Sequence, residues 1–195
     1  MSTRFDATFH SASGLTGSIP AGLFDKNTLV ERFNSTFHNT TNLTGTIPDR
    51  LFDNNTLATR FDATFYNSGL TGAIPDGLFD KNTLATNFTS TFRNTGLTGA
   101  IPDGLFTLNT LVTSFNSTFR GATGLTSIPD NLFDTNTAVT SFDNTFNGAT
   151  ALNTGVDVYD FWTTAGATYP DLASTTGCFS GTNINNLASV PAGWK

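Results

Sequence analysis

The phenylalanines of this chain obey a single period. All nineteen fall into three columns of one repeat of about 27 residues, and none lies outside those columns. The first column is Phe5, Phe33, Phe61, Phe88, Phe115 and Phe142; the second is Phe9, Phe37, Phe65, Phe92, Phe119, Phe146 and Phe179; the third is Phe24, Phe52, Phe79, Phe106, Phe133 and Phe161. Large rings that occur only at a fixed period are expected to fill buried positions of the repeat. A period of this length is typical of a solenoid of stacked coils. The sequence therefore predicts that binding residues lie on exposed columns rather than at one catalytic point.

Other residues share the period. An Ile-Pro pair flanked by leucines recurs and returns once as Val190-Pro191. The Leu-Thr-Gly-x-Ile segment before each Pro alternates large and small residues, which predicts a short strand with Leu and Ile inward. Proline then ends the pairing because it has no N–H. We expect the recurring Asn-Thr pairs to form an internal ladder in which each Asn amide binds the backbone of a neighbouring coil. These asparagines are Asn27, Asn55, Asn82, Asn109 and Asn136.

Two segments favour helical turns. Phe-x-x-Thr-Phe places rings at i and i+4, which suits one helical turn, although a strand with both rings inward would also accommodate it. We favour the helical turn. The Asp that follows Pro in four coils, at Asp49, Asp76, Asp103 and Asp130, can cap a short helix or 3₁₀ turn. The predicted fold is a leucine-rich-repeat-like solenoid of about six coils in a single rod, each coil with one short strand and short helical turns.

The organisation changes near the C-terminus. Residues 1–151 carry the regular repeats, and residues 152–195 form a last repeat with an insertion between Thr163 and Pro170, which we expect to cap the stack. The repeat begins at once after Met1, so we expect this chain to be part of a longer chain or an assembly. The lone Cys178 replaces a recurring Thr, which predicts a small buried position rather than a nucleophile.

Composition and motifs exclude several functions. The net charge of −6 and pI of about 4.5 argue against nucleic acid or an anionic membrane as the main partner. No apolar run approaches the length of a membrane span. Phosphate-loop, zinc and Ca²⁺ motifs are absent from the sequence, and the acids stand in parallel rows rather than in a catalytic cluster. We therefore predict neither an enzyme nor a metal or cofactor site.

One column of the repeat changes its residue type from coil to coil, whereas the Phe column beside it does not. The residue after the second Phe column changes from coil to coil between large hydrogen-bonding types, which are His10, His38, Tyr66, Arg93, Arg120, Asn147 and Ser180. This is either drift at a solvated position or a recognition stripe, which Arg32 and Arg60 would widen. A second candidate is the set Trp162, Tyr169 and Trp194, which would either stack on sugar rings or seal the last coil by packing.

The repeat unit resembles a known family. The run Thr36-Phe37 to Leu43, then Ile47 and Leu51, then Asn55-Thr-Leu57 and Phe61 to Phe65, is similar to the BspA-like bacterial leucine-rich-repeat surface proteins. The resemblance covers residues 5–195, and Gly121-Ala122 and Gly148-Ala149 keep the family's Gly-Ala after the Phe pair. It implies a scaffold of the kind found in adhesins, lipoproteins and phage tail proteins. The expected function is a cell-surface or extracellular binding module for a protein or carbohydrate ligand on another cell.

Two other functions stay open. A phage tail-fibre or virion receptor-binding component would be an obligate trimer, whereas an adhesin repeat would be a monomer. An ice-binding protein would need flat outward rows of threonine. Such a row exists at Thr16, Thr44, Thr71 and Thr98. The position two residues further along each coil, however, is alanine in the later coils, at Ala73 and Ala100.

Overall fold

The predicted strand forms in three adjacent coils, whereas the first two coils are joined there by a single parallel bridge from Gly17 to Leu43. The computed structural model describes residues 2–152, 162 and 168–195. Its strands are β1 (Thr71–Gly72), β2 (Gly96–Ala100) and β3 (Gly124–Ser127), which come from adjacent coils and pair in parallel in the order β1-β2-β3. Thr71 pairs with Gly96 and Thr98 with Gly124. The Leu and Ile at the two ends of each segment are buried, as the alternation predicted, except that Leu15 of the first coil is only partly buried.

Each coil also carries a second parallel ladder, which the sequence did not reveal. Single β-bridges join the residue before the first Phe column in successive coils. The bridged residues run in one series: Arg4, Arg32, Arg60, Asn87, Ser114, Ser141 and Ser174. The coils are therefore joined along two sides of the rod.

The Phe-x-x-Thr-Phe segment is not a helical turn, so this prediction was wrong. Its third residue lies in the left-handed region, with φ of 54° at Ala7 and 54° at Ser35, which no α-helix contains. Backbone N–H groups instead alternate between two destinations. Those of Ala7 and Phe9 donate to the next coil, at Asn34 O and Thr36 O, whereas that of Thr8 donates to Phe5 O in its own coil. We call this arrangement the turn ladder.

Stacked rings fill the interior. Phe33 and Phe61 of the first column lie 5.6 Å apart between ring centroids and 10° from parallel. Rings of the third column meet the first at a tilt, as Phe52 meets Phe61 at 5.0 Å and 64°. Both geometries are favourable for aromatic pairs. Phe5 and Phe9 of the first coil are partly buried, and Phe161 lies outside the described residues.

Two polar ladders run through the core beside the rings. The amide Nδ2 of Asn82 donates to Phe52 O at 3.2 Å and to Asn55 O at 3.0 Å, and this confirms the predicted asparagine ladder. The same pattern repeats at Asn55, Asn109 and Asn136. In the turn ladder the buried Thr64 hydroxyl lies 2.7 Å from Phe61 O and 3.0 Å from Phe33 O in the preceding coil. Every coil is therefore hydrogen-bonded to its neighbour through buried side chains as well as backbone.

The turn after Pro also forms, without the predicted cap. Leu78 N donates to Pro75 O at 3.4 Å, a single turn of the i to i−3 kind. The carboxylates that follow Pro accept no hydrogen bond within the described residues, and they are exposed at Asp49, Asp76, Asp103 and Asp130. Proline's fixed φ and the buried Leu thus maintain the turn without help from the acid.

The last coil is covered by the chain's own end. A 3₁₀ helix, Ala192–Trp194, places the Trp194 ring 5.9 Å from Phe142. The backbone N–H of Phe179 donates to Trp194 O at 2.8 Å. Trp194 therefore covers a position where Thr175 stands in place of a first-column Phe. No helix among the described residues is long and apolar enough to cross a membrane.

We expect Asn55→Ala to lower the free energy of unfolding by about 2 kcal/mol, because it removes the two hydrogen bonds to Phe24 O and Asn27 O and leaves each carbonyl with only its backbone donor. The loss stays moderate because the Asn55 Oδ1 itself is buried without a partner. Urea unfolding measures the change. The control is Asn54→Ala at the exposed neighbouring position, and an equal loss in both variants would contradict the ladder's role.

We expect the Cys178 thiol to be inert to thiol reagents in the folded protein and reactive after unfolding. The thiol is buried in the threonine column, and desolvation raises its pKa far above the ordinary value. Cys178→Thr should keep or raise stability, because a hydroxyl there can donate to carbonyls as Thr145 does. Thiol titration and urea unfolding test both points, and rapid labelling of the native protein would refute the buried assignment.

Candidate functional site

The variable column sits on the turn ladder, which holds its backbone rigid. The N–H of His38 donates to Ser35 O at 3.2 Å, and His38 O accepts from Ser11 N of the preceding coil at 2.8 Å. The same pair of bonds recurs in the next coils, for example at Tyr66 and Arg93. The side chains at this position therefore project from a fixed base. We call His10, His38, Tyr66, Arg93 and Arg120 the contact column.

The structure brings four members of the contact column into one continuous stack. The His10 and His38 rings lie 4.5 Å apart between centroids in an edge contact at 86°. His38 stacks on Tyr66 at 4.4 Å and 18°, and the guanidinium carbon of Arg93 lies 4.9 Å from the Tyr66 centroid. Such ring and cation–π contacts arise because adjacent coils repeat the position at the strand spacing of about 4.8 Å.

The arginines of this surface differ in their partners. Arg60 forms a two-pronged ion pair with Asp62, with both N–O distances 2.8 Å, and this hydrogen bonding raises the pKa of the guanidinium. The ion pairs of the described residues include neither Arg93 nor Arg120. The Nε of Arg93 is buried without a hydrogen-bond acceptor. Arg60 is thus committed within the fold, whereas the column's arginines keep unused donors.

The pKa of His38 lies below its ordinary value. Partial burial lowers its pKa, and the neighbouring charges of His10 and Arg93 lower it further. The neutral imidazole is the form that stacks on Tyr66 without charge repulsion from Arg93.

An amide column lies beside the contact column. Its members Asn39, Asn67 and Asn94 each come directly after a contact-column residue in the sequence. Their φ angles are positive, between 51° and 58°, a conformation that Asn tolerates better than most residues. Asn67 Nδ2 donates to Asn39 Oδ1 at 2.8 Å. In the next coil the Asn94 side chain lies directly over Gly121, where a Cβ would collide with it. Amide groups therefore flank the rings and arginines on one side.

The predicted tryptophan–tyrosine set is not a surface. Trp162, Tyr169 and Trp194 expose only 6%, 1% and 7% of their area. Trp162 packs on Phe179 and Tyr169 on Phe142, while the Tyr169 hydroxyl donates to Phe133 O at 3.1 Å. A sugar ring stacks on an open aromatic face, so these residues fit the packing interpretation and are left out of the contact surface. Burial depends on the tertiary fold, and the sequence alone left both interpretations open.

Sequence reasoning overlooked one exposed column. The leucines after the first four Asn-Thr pairs keep 41–49% of their area exposed, although they recur at the same period as the core positions. They are Leu29, Leu57, Leu84 and Leu111. The alternation of exposed Leu with buried Val30, Ala58, Ala85 and Val112 was the available signal. Across the described ranges, no group of three or more His, Cys, Asp or Glu side chains could hold a metal ion.

Comparisons with known proteins found leucine-rich-repeat structures at low similarity. No family model and no curated protein matches the chain. The leucine-rich-repeat ectodomain of the Arabidopsis thaliana receptor kinase GASSHO1/SCHENGEN3 is 22% identical, with a TM-score of 0.44, over 64% of this chain and 13% of that one. The plant peptide hormone receptor RGFR1 is 24% identical, with a TM-score of 0.47, over 71% of this chain and 22% of that one.

The Arabidopsis thaliana BIR2 ectodomain is 16% identical, with a TM-score of 0.43, over 88% of this chain and 64% of that one. The chain thus spans less than two thirds of the length of each of these ectodomains. The assignment of this chain as a repeat solenoid rests on its own parallel ladders and stacked columns.

Acidification should weaken the fold through His38. Its pKa is lower in the folded protein than the ordinary value of about 6.5 in the unfolded chain, so the unfolded chain binds the proton more readily. The free energy of unfolding should therefore fall as the pH drops from 7 through 6 towards the folded pKa. When urea unfolding is measured at several pH values, the free energy of unfolding should depend less steeply on pH in His38→Gln than in the wild type.

His10→Gln serves as the control for the cause. This substitution removes one charge beside His38 but leaves the burial of His38, which is the largest cause of its lowered pKa. The pH dependence of the free energy of unfolding in His10→Gln should therefore lie between those of the wild type and His38→Gln. Identical slopes in all three proteins would disprove the contribution of His38.

Proposed function

We propose that this chain is a non-enzymatic, surface-exposed repeat module of the BspA-like bacterial kind, which recognises a protein or glycan on another cell through the contact column. The buried Phe, Ile, Thr and Asn columns are accounted for by packing and hydrogen bonding in the interior. The contact column is different, because its side chains vary while its backbone does not. Tyr and Arg are also the residue types favoured at the centres of protein interfaces.

One observation carries the proposal, which is the continuous stack from His10 to Arg93. Side chains that stack on one another lose less conformational entropy on binding than freely rotating ones, and preorganisation of this kind raises affinity. Ordinary drift at a solvated position would not require neighbouring coils to supply matching rings and a cation. The resemblance to cell-surface repeats favours an extracellular or cell-surface location and a role as part of a longer chain or assembly.

A virion receptor-binding component remains the second candidate, since the same module could serve at a phage tail. Size measurement in solution separates the two, because a tail fibre requires an obligate trimer and an adhesin repeat a monomer. Ice binding is a third, minor candidate. The Thr44, Thr71 and Thr98 row is exposed, but alanines replace its partners, so absence of thermal hysteresis would eliminate it.

The test of the proposed function is a screen of the whole chain on arrays of host proteins and glycans. Arg93→Ala and Arg120→Ala should each weaken a true hit by about tenfold, since truncating an interface arginine commonly costs 1–2 kcal/mol. Arg50→Ala is the matched control, because the Arg50 side chain is 86% exposed and lies outside the column. Hits that respond equally to all three substitutions, or to none, would show that the contact column is not the binding surface.

A further inference from the structure

The geometry of the contact column restricts the ligand that the proposed function would recognise. Tyr66 is covered on both faces, by His38 at 4.4 Å and by the Arg93 guanidinium at 4.9 Å. A neutral sugar binds aromatic residues by lying on an open ring face. Tyr66 offers only its edge and its hydroxyl, so ligand contacts here are polar and directional.

The charge of the column is positive and uncompensated. Arg93 and Arg120 occupy the same position in adjacent coils, about 4.8 Å apart along the ladder. The structure pairs Arg60 with Asp62, so the charge of that arginine is compensated within the chain. Neither Arg93 nor Arg120 takes part in the ion pairs of the described residues, and the Arg93 Nε is buried without an acceptor. Guanidinium groups bind carboxylates through two parallel hydrogen bonds.

The flanking amides add donors and acceptors. The bond from Asn67 to Asn39 uses one Asn67 N–H and the Asn39 oxygen, so it leaves the Asn39 amide N–H groups and the Asn67 oxygen on the surface. One side chain therefore offers a donor and its neighbour an acceptor. A peptide bond carries the complementary acceptor and donor.

We propose that the contact column binds a short acidic peptide segment of a partner protein, with carboxylates on Arg93 and Arg120 and the peptide backbone along Asn39 and Asn67. This inference rests on the proposed function and names its ligand class. A long polyanion fits less well, because the chain has a net charge of −6 and carries exposed aspartates in several coils. A local pair of arginines within an acidic protein selects a local pair of carboxylates.

Fluorescence polarisation with synthetic ten-residue peptides tests the inference on the whole chain. A peptide of alternating Glu and Ser should bind, and the matched peptide with Gln in place of Glu should bind at least tenfold more weakly. Added salt should weaken the Glu peptide more than the Gln peptide. A sialylated oligosaccharide, which also carries carboxylates, forms a separate arm of the experiment.

Variants locate the site. Arg93→Gln and Arg120→Gln should each weaken the Glu peptide by about tenfold. Arg93→Lys should restore only part of the affinity, because an ammonium keeps the charge and loses the two-pronged geometry. Arg50→Gln should leave binding unchanged, and a thermal melt of each variant verifies its fold.

The outcomes separate this inference from the proposed function. Equal binding of the Glu and Gln peptides, equal binding of the sialylated oligosaccharide, or indifference to Arg93→Gln would overturn the acidic-peptide assignment. An array hit that is lost in Arg93→Ala would then still support the proposed function with a different ligand. If no array hit depends on the column, the proposed function fails, whatever the peptides do.

Discussion

The structure depends on the turn ladder, in which backbone N–H groups alternate between the next coil and their own. In the first coil Ala7, Phe9 and Ser11 donate forward to the second coil, while Thr8 and His10 donate back within the coil. The second coil repeats this from Ser35 to Asn39. The backbone inter-coil donors of this segment consequently point towards the C-terminal end, and the carbonyls that accept from them point towards the N-terminal end. The ladder is polar along the rod, and no coil satisfies its own backbone alone.

This ladder also explains the uniform core. Equivalent positions in adjacent coils lie in register, so a buried side chain meets its own kind above and below. Phe pairs stack nearly parallel, and Thr and Asn side chains donate to the preceding coil. A different residue in such a column must still fit its neighbour, as the buried Cys178 does against Thr145. An exposed column is free of that constraint, so its residue type can change more widely from coil to coil.

The same register gives the contact column its geometry. His38, Tyr66 and Arg93 would be unrelated surface residues on another scaffold, since they lie 27 or 28 residues apart in sequence. The ladder brings them to stacking distance and occupies both faces of Tyr66. The C-terminal segment contacts the last described coil in a different way. Trp194 supplies both a carbonyl for Phe179 N and a ring for Phe142.

The sequence by itself determined the solenoid, the Leu-Thr-Gly strands, the asparagine ladder and the buried place of Cys178, because each follows from a period and a residue type. It did not determine the turn ladder: rings at i and i+4 satisfy a helical period, and the positive φ of Ala7 and Ser35 is imposed by bonds to the next coil. Only the tertiary structure buried Trp162, Tyr169 and Trp194 and stacked His10 to Arg93. Periodicity specifies which residues are equivalent, whereas inter-coil hydrogen bonds and packing decide which way their side chains face.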